Sequence, residues 1–174
     1  MERWDVYNRN GQLTNKTVVR GALCLKRGQY HLVVHIWVVD KNNRILIQRR
    51  STLKEMMPGE WAATGGAAIS GETSPIAASR ELKEELGIVT NSGELKFIGR
   101  ITNLSSFVDI WIVDCNIEIE ELKLQASEVA EAKWVTVDEL STMIKNQKFH
   151  NYGRKYFSAV MGAVKTGRRN EFKY

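Results

Sequence analysis

Residues 66–88 read Gly66-AAISG-Glu72-TSPIAAS-Arg80-Glu81-Leu82-Lys83-Glu84-Glu85-Leu86-Gly87-Ile88. The spacing predicts a helix. Ser74 stands as its N-cap and Pro75 at its first position, where a missing N–H costs nothing. Leu86 closes it, and Gly87 is the residue that leaves the helix in the left-handed region. On that helix Glu81, Glu84 and Glu85 fall at i, i+3 and i+4, so their carboxylates share one face. Like charges so close repel, and anions near a helix C-terminus are disfavoured by its dipole. Local physics disfavours the arrangement unless something positive is bound there. Clustered hard oxygen ligands suit Mg²⁺ or Mn²⁺, which take a few carboxylates together with substrate phosphates. Three glutamates alone are also what a solvated acidic face looks like.

The full pattern, G-x5-E-x7-R-E-U-x-E-E-x-G-U with U aliphatic, is satisfied at every fixed position. From average residue usage its chance is of order 10⁻¹⁰ per starting position, which sets the solvated-face reading aside. The pattern is that of the Nudix box, and the chain resembles the Nudix hydrolase family. The resemblance implies an α+β fold, an α/β/α sandwich with a mixed β-sheet, over about residues 28–145. It implies that Glu81, Glu84 and Glu85 bind divalent metal, that the Gly65 carbonyl joins them, and that Arg80 orients the glutamates. Gly66, Glu72 and Gly87 are then structural positions of the box. The implied reaction is attack of water on a nucleoside diphosphate linked to another group X, with the metal neutralising the diphosphate and a carboxylate taking the proton. The box leaves that base open among Glu81, Glu84 and a glutamate from a distant loop. Glu128, six residues before Trp134, occupies such a place, and Glu131 is its neighbour and competitor.

Working outward, Tyr30–Asp40 is an apolar run rich in Val, Ile and Trp that reads as a buried strand. Lys41-Asn42-Asn43 turns it into the strand Arg44–Gln48. Arg49 and Arg50 end that strand. Since consecutive strand residues face opposite ways, one of them, favoured as Arg50, points to the site as a donor to substrate phosphate. Trp61 opens a short strand to Ala68, either stacking on a base or lining the core. Upstream, residues 3–8 and 16–22 form a hairpin around Asn10-Gly11. It is expected to fold back on the core or to serve a homodimer edge. Downstream come strands at 94–102 and 106–119, a polar loop from Glu120 to Glu131, and a strand from Lys133 to Val137. Asp138 caps a helix to Lys145, and a last helix covers Tyr152–Lys165. The organisation is a single domain: hairpin extension 1–27, core 28–145, basic C-terminal helix 146–174.

The stretch before the box, GQYHLVVHIWVVDKNNRILIQRRSTLKEMMPGEWAATGG, is similar to proteins allied to isopentenyl-diphosphate isomerase, a non-hydrolytic Nudix relative. That isomerase uses a cysteine for proton transfer and a nearby histidine for metal after its Trp-bearing strand. Here Ala62-Ala63-Thr64-Gly65-Gly66 offers neither, so the resemblance implies a hydrolase of the isomerase-like branch. His31 matches one isomerase histidine, although a lone strand histidine is more often structural.

The 174 residues carry 25 Lys+Arg against 20 Asp+Glu, a formal charge of +5. Alone, that balance points to a polyanion partner. Its location does not. Residues 145–174 hold eight basic side chains against Glu171 alone, leaving 17 basic and 19 acidic ones before them. No RNA-binding motif accompanies the basic segment, so a nucleic-acid partner is not expected, and a small-molecule diphosphate is. Cys24 and Cys115 stand in unlike contexts, with no zinc spacing and no disulfide framework. No run is long enough for a membrane span, and the polar start MERWDVYNRNGQ is not a signal peptide, so the expected setting is cytoplasmic.

Overall fold

The eleven-residue strand Gln29–Val39 (β3) is the axis of the sheet. Its residues alternate between two apolar layers. Leu32, Val34, Ile36 and Val38 pack with Leu82 and Leu86 of the box helix. Trp37 and Val39 pack on the other side with Ile45, Ile47, Leu140 and Val160. A strand buried on both faces needs a continuous apolar sequence, which is why this run shows no polar alternation. The computed structural model describes residues 1–21 and 25–166. Cys24, Arg168, Arg169, Glu171 and Lys173 lie outside the described residues.

Among the described residues nine strands form one mixed sheet. The N-terminal hairpin is β1 (Arg3–Asn8) and β2 (Leu13–Val19), and β1 joins β3 at Tyr7↔Tyr30. Strand β4 (Ile45–Arg50) pairs with the end of β3, with β5 (Trp61–Ala62) and with β9 (Val129–Val135). Strand β6 (Thr64–Ala67) runs antiparallel to β3, placing Gly65 opposite His35 and Gly66 opposite Val34. Strand β8 (Ser106–Asp114) runs parallel to β3 from His31↔Ser106 to Val39↔Asp114, with β7 (Lys96–Thr102) beyond it. The box helix α1 (Ser74–Leu86) covers one face, and α2 (Val137–Lys145) and α3 (Arg154–Thr166) pack on the other. This is the mixed-sheet α+β sandwich that the sequence implied. Among the described residues no helix is long and apolar enough to cross a membrane.

Several boundaries differ from the sequence reading. Thr73, not Ser74, is the N-cap of α1, because the Ser74 hydroxyl is taken by the Trp111 indole N–H at 3.0 Å. Thr136, not Asp138, caps α2. Its hydroxyl and the Glu139 side chain form a reciprocal capping box, a pairing that Asp138, already the second residue inside the helix, does not make. The second hairpin strand begins three residues early, at Leu13, with a register shift between Asp5 and Tyr7. Strand β8 stops at Asp114, and β9 starts at Val129 inside the expected loop, because Val129–Val135 finds β4 as a partner. The hairpin folds back on its own chain. The Asp5 carboxylate accepts from Ser70 Oγ at 2.6 Å and from the Gly71 N–H at 2.8 Å, and Ser70 N–H donates to the Arg3 carbonyl at 2.8 Å. The extension therefore braces the loop that leads into α1.

Candidate active site at the box helix

The buried face of α1 comprises Ala77, Ala78, Leu82, Glu85 and Leu86. Four of these are ordinary core residues. Glu85 is not: its helical phase carries a carboxylate into the apolar layer, where it is 3% exposed. There its Oε2 accepts from Gln48 Nε2 at 2.9 Å and from the Gly65 N–H at 3.2 Å. Burial, then the charge of Glu81, pushes the Glu85 carboxyl up to about 8, against those two donors. Gln48 is itself 0% exposed, and its Oε1 has no partner.

Glu81 lies against the glycine turn. A Cβ on Gly66 would run into the Glu81 carboxylate, and one on Gly65 would run into the Val34 carbonyl. The Gly-Gly pair is thus a close-approach requirement. Burial raises the Glu81 carboxyl as well, opposed by Arg80. Arg80 gathers the box. Nε donates to Glu72 Oε1 at 2.7 Å, Nη1 to Glu81 Oε1 and Glu84 Oε2 at 2.9 Å each, and Nη2 to Glu72 Oε2 at 3.0 Å and the Ala67 carbonyl at 3.1 Å. Burial works against its charge, but these carboxylates outweigh it and drive the guanidinium upward. Glu72 also accepts the Ile69 N–H at 2.8 Å, closing the loop before the helix. Gly87 ends α1 at φ 73°, its N–H donating to the Lys83 carbonyl at 3.0 Å.

Glu128 reaches this cluster from the turn before β9. Its carbonyl accepts the Ser51 N–H at 2.8 Å, and its carboxylate is ion-paired with Lys54. Its charge is felt at both Glu81 and Glu85. Glu131 goes elsewhere, to Arg49 Nε at 3.4 Å across β4 and β9. Arg50 Nε donates to the Met56 carbonyl at 3.1 Å, and its charge is felt at His35 and Tyr152 on the far face of the sheet. Trp61 is half-buried, with Lys133 Nζ over its ring at 4.2 Å. His31 stacks on Trp4 at 4.3 Å, its Nδ1 buried without a partner.

Five residues of this neighbourhood escaped the sequence reading. Gln48 was visible as the polar residue that follows the apolar run Ile45–Ile47 on the same strand. Lys54 and Asp5 gave no signal, since their partners are remote in the chain. Arg20 and Glu2 pair at 2.8 Å where the hairpin ends, and Arg20 feels Glu128 and Glu81. Among the described residues no three His, Cys, Asp or Glu side chains stand close enough, as placed, to hold a metal ion. Arg80 and Lys54 take up the carboxylates instead. The donor set nonetheless fits a divalent cation: Glu81 and Glu85 are carboxylates whose burial disfavours their charge unless a positive partner offsets it, beside a turn whose glycines allow close approach.

A mixed sheet between helical layers, with an arginine-gathered set of glutamates on the helix that follows a glycine turn, defines a hydrolase of the Nudix class. The NUDIX domain model matches residues 29–159, and the chain belongs to the Nudix hydrolase family, whose members act on pyrophosphate bonds and generally use divalent metals. An uncharacterised Nudix hydrolase of Listeria monocytogenes is 37% identical over 153 residues, covering 87% of this chain and 90% of that protein. The isopentenyl-diphosphate Delta-isomerase of Rhodobacter capsulatus is 31% identical over 127 residues, 68% of this chain and 71% of that enzyme. A crystal structure from Deinococcus radiodurans matches with a TM-score of 0.74 at 23% identity, over 95% of this chain and 98% of that one, a likeness of fold.

Proposed function

We propose that the protein is a Mg²⁺- or Mn²⁺-dependent pyrophosphohydrolase that cleaves a nucleoside diphosphate linked to another group X. The observation that carries the reading is Arg80 gathering Glu72, Glu81 and Glu84 beside the Gly65-Gly66 turn, against which Glu81 and Glu85 pack. Glu81, Glu84, Glu85 and the Gly65 carbonyl would hold the cation, which when bound neutralises the diphosphate and acidifies a water. Arg80 keeps Glu81 and Glu84 aligned through a bridging pair of 2.9 Å contacts. Glu128 accepts the proton of the attacking water: it comes from the turn before β9, and its charge is felt at Glu81 and Glu85. Water adds to phosphorus, the P–O bond of the diphosphate breaks, and the leaving phosphate departs.

The test is a substrate panel with Mg²⁺ or Mn²⁺ and product mass analysis in ¹⁸O water. Glu84→Gln lowers turnover by orders of magnitude, and Glu128→Gln lowers kcat by far more than it weakens metal binding. A panel of nucleotides, sugar nucleotides and dinucleotides that gives no turnover refutes the reading. The likeness to the isomerase favours a second reading, proton transfer on isopentenyl diphosphate. Ala62–Gly66 lacks the cysteine for it, and Cys115, just past the end of β8, has its thiol raised by burial. Incubation with isopentenyl diphosphate in deuterated water decides the matter, and no label is expected.

A further inference from the structure

Of the carboxylates at the box, Glu85 is the one held by uncharged groups. Arg80 pairs with Glu72, Glu81 and Glu84, and Lys54 with Glu128. Glu85 accepts instead from Gln48 Nε2 at 2.9 Å and from the Gly65 N–H at 3.2 Å. Both donate to the same oxygen, Oε2. A carboxylate oxygen has about two lone-pair sites, so these two donors fill Oε2. Its sister Oε1 takes no hydrogen bond from the described residues.

The sheet brings Gln48 to this place. It lies within β4, paired with Ala62 of β5 on one side and Ala132 of β9 on the other. Flanked by two alanines, its side chain extends across the sheet face to α1. Gln48 is fully buried, and its own Oε1 has no partner. An unmet buried acceptor destabilises a fold, and a Met would fill the same space without one. Packing therefore gives no reason for a glutamine here, whereas the donor to Glu85 does. Exchanging the two ends of the amide would set its carbonyl oxygen against the carboxylate.

The number of oxygens that Glu85 can offer bears on the choice of cation. Mg²⁺ demands near-ideal octahedral geometry, which a carboxylate meets with one oxygen. Ca²⁺ takes more ligands in a looser shell and accepts both oxygens of one carboxylate.

We propose that Gln48 is a positioning residue for the metal site: together with the Gly65 N–H it occupies Glu85 Oε2, so that Glu85 meets a cation through Oε1 alone and the site is biased against Ca²⁺. The inference rests on the hydrolase reading above and deepens it, naming a residue that sets the balance between cations.

The experiment titrates Mg²⁺ and Ca²⁺ separately into wild type and Gln48→Met by calorimetry, without substrate. Urea denaturation in EDTA checks that the variant is folded. The expected Mg²⁺ Kd rises about ten- to a hundredfold in Gln48→Met. The Ca²⁺ Kd rises much less, because Glu85 gains a second oxygen for it, so the balance moves toward Ca²⁺. Any change in proton uptake at Glu85 is common to both ions and cancels in their ratio. An unchanged Mg²⁺ Kd, or an equal loss for both ions, overturns the inference, since a merely structural role would weaken both alike. A second measurement needs no variant. In the wild-type NMR spectrum the Gln48 side-chain amide protons should be protected from exchange and should shift on addition of Mg²⁺, and fast-exchanging signals unmoved by Mg²⁺ overturn the inference. Neither measurement depends on turnover. A Gln48→Met shift toward Ca²⁺ in a protein that hydrolyses nothing on the substrate panel supports the role of Gln48 and sinks the hydrolase reading. Active wild type with an unchanged ratio in the variant does the reverse.

Discussion

Replacing Glu85 by Gln should stabilise the metal-free protein at alkaline pH. The Glu85 carboxyl sits at about 8 in the fold against an ordinary 4.5. At 1.36 kcal/mol per pH unit the charged form costs the fold at most about 5 kcal/mol. The sign follows from proton binding. The folded protein holds this proton more tightly than the unfolded chain, so the stability is full below pH 4.5 and is lost as pH rises toward 8. Glu85→Gln removes that loss at little packing cost. The new amide oxygen still accepts from Gln48 and the Gly65 N–H, and its NH₂ supplies the donor that the orphaned Gln48 Oε1 lacks. The assay is urea denaturation in EDTA at pH 5, 7 and 9, repeated with Mg²⁺. Without metal, wild type weakens across that range and the variant weakens much less, the remainder coming from Glu81, which is raised in the same direction. With Mg²⁺ at a hundred times its Kd, wild type regains about 2.7 kcal/mol and the variant gains less. Parallel pH curves for the two proteins in EDTA would refute the placement of Glu85 as a buried, charge-penalised carboxylate.

Two further substitutions test the supports of the site. Asp5→Ala strips the acceptor from Ser70 Oγ and the Gly71 N–H, costing about 1 kcal/mol. That amounts to roughly 2–4 °C in Tm for a domain of this size, and the Gly71 amide should exchange faster. An unchanged Gly71 exchange rate would show that the hairpin does not brace the box loop. Tyr156→Phe leaves the fully buried Trp37 indole N–H and His35 Nδ1 without partners. Its expected cost is about 2–4 kcal/mol in chemical denaturation, and a variant within about 0.5 kcal/mol of wild type would refute the shared-hydroxyl network.

The box, its helix and the sandwich were legible because they depend on local spacing. Helical phase alone sets Glu81, Glu84 and Glu85 along one flank of α1, although Glu85 turns into the core and Glu84 out to solvent, and the alternating burial of β3 follows from an apolar run that needs cover on both sides. Caps were harder, because a hydroxyl can be claimed from afar: Ser74 is taken by Trp111, 37 positions away. The start of β9 was lost because a short segment such as Val129–Glu131, set among polar residues, becomes strand only when β4 offers it a ladder. Of the two candidate glutamates in SEVAEAKW, sequence could not separate Glu128 from Glu131. They diverge because Ser51 and Lys54 anchor the first at the box, whereas Arg49 draws the second along the sheet.

The charge balance of the site carries one more consequence. Five carboxylates, Glu72, Glu81, Glu84, Glu85 and Glu128, share two cations, Arg80 and Lys54. Protonation of Glu85 leaves two negative charges uncompensated, the charge of one divalent ion. Ligation needs the Glu85 carboxylate ionised, so at pH 7 the cation must expel a proton that the fold holds with a pKa of about 8. Mg²⁺ or Mn²⁺ binding should then release close to one proton at pH 7 and almost none at pH 9.5. Calorimetry in phosphate-free buffers of different ionisation enthalpy reads this directly. The observed heat at pH 7 should vary with the buffer, and the dependence should vanish at pH 9.5 and in Glu85→Gln. A buffer-independent heat in wild type at pH 7 would mean that Glu85 is already ionised, and that the repulsion among these glutamates is met by Arg80 and Lys54 alone.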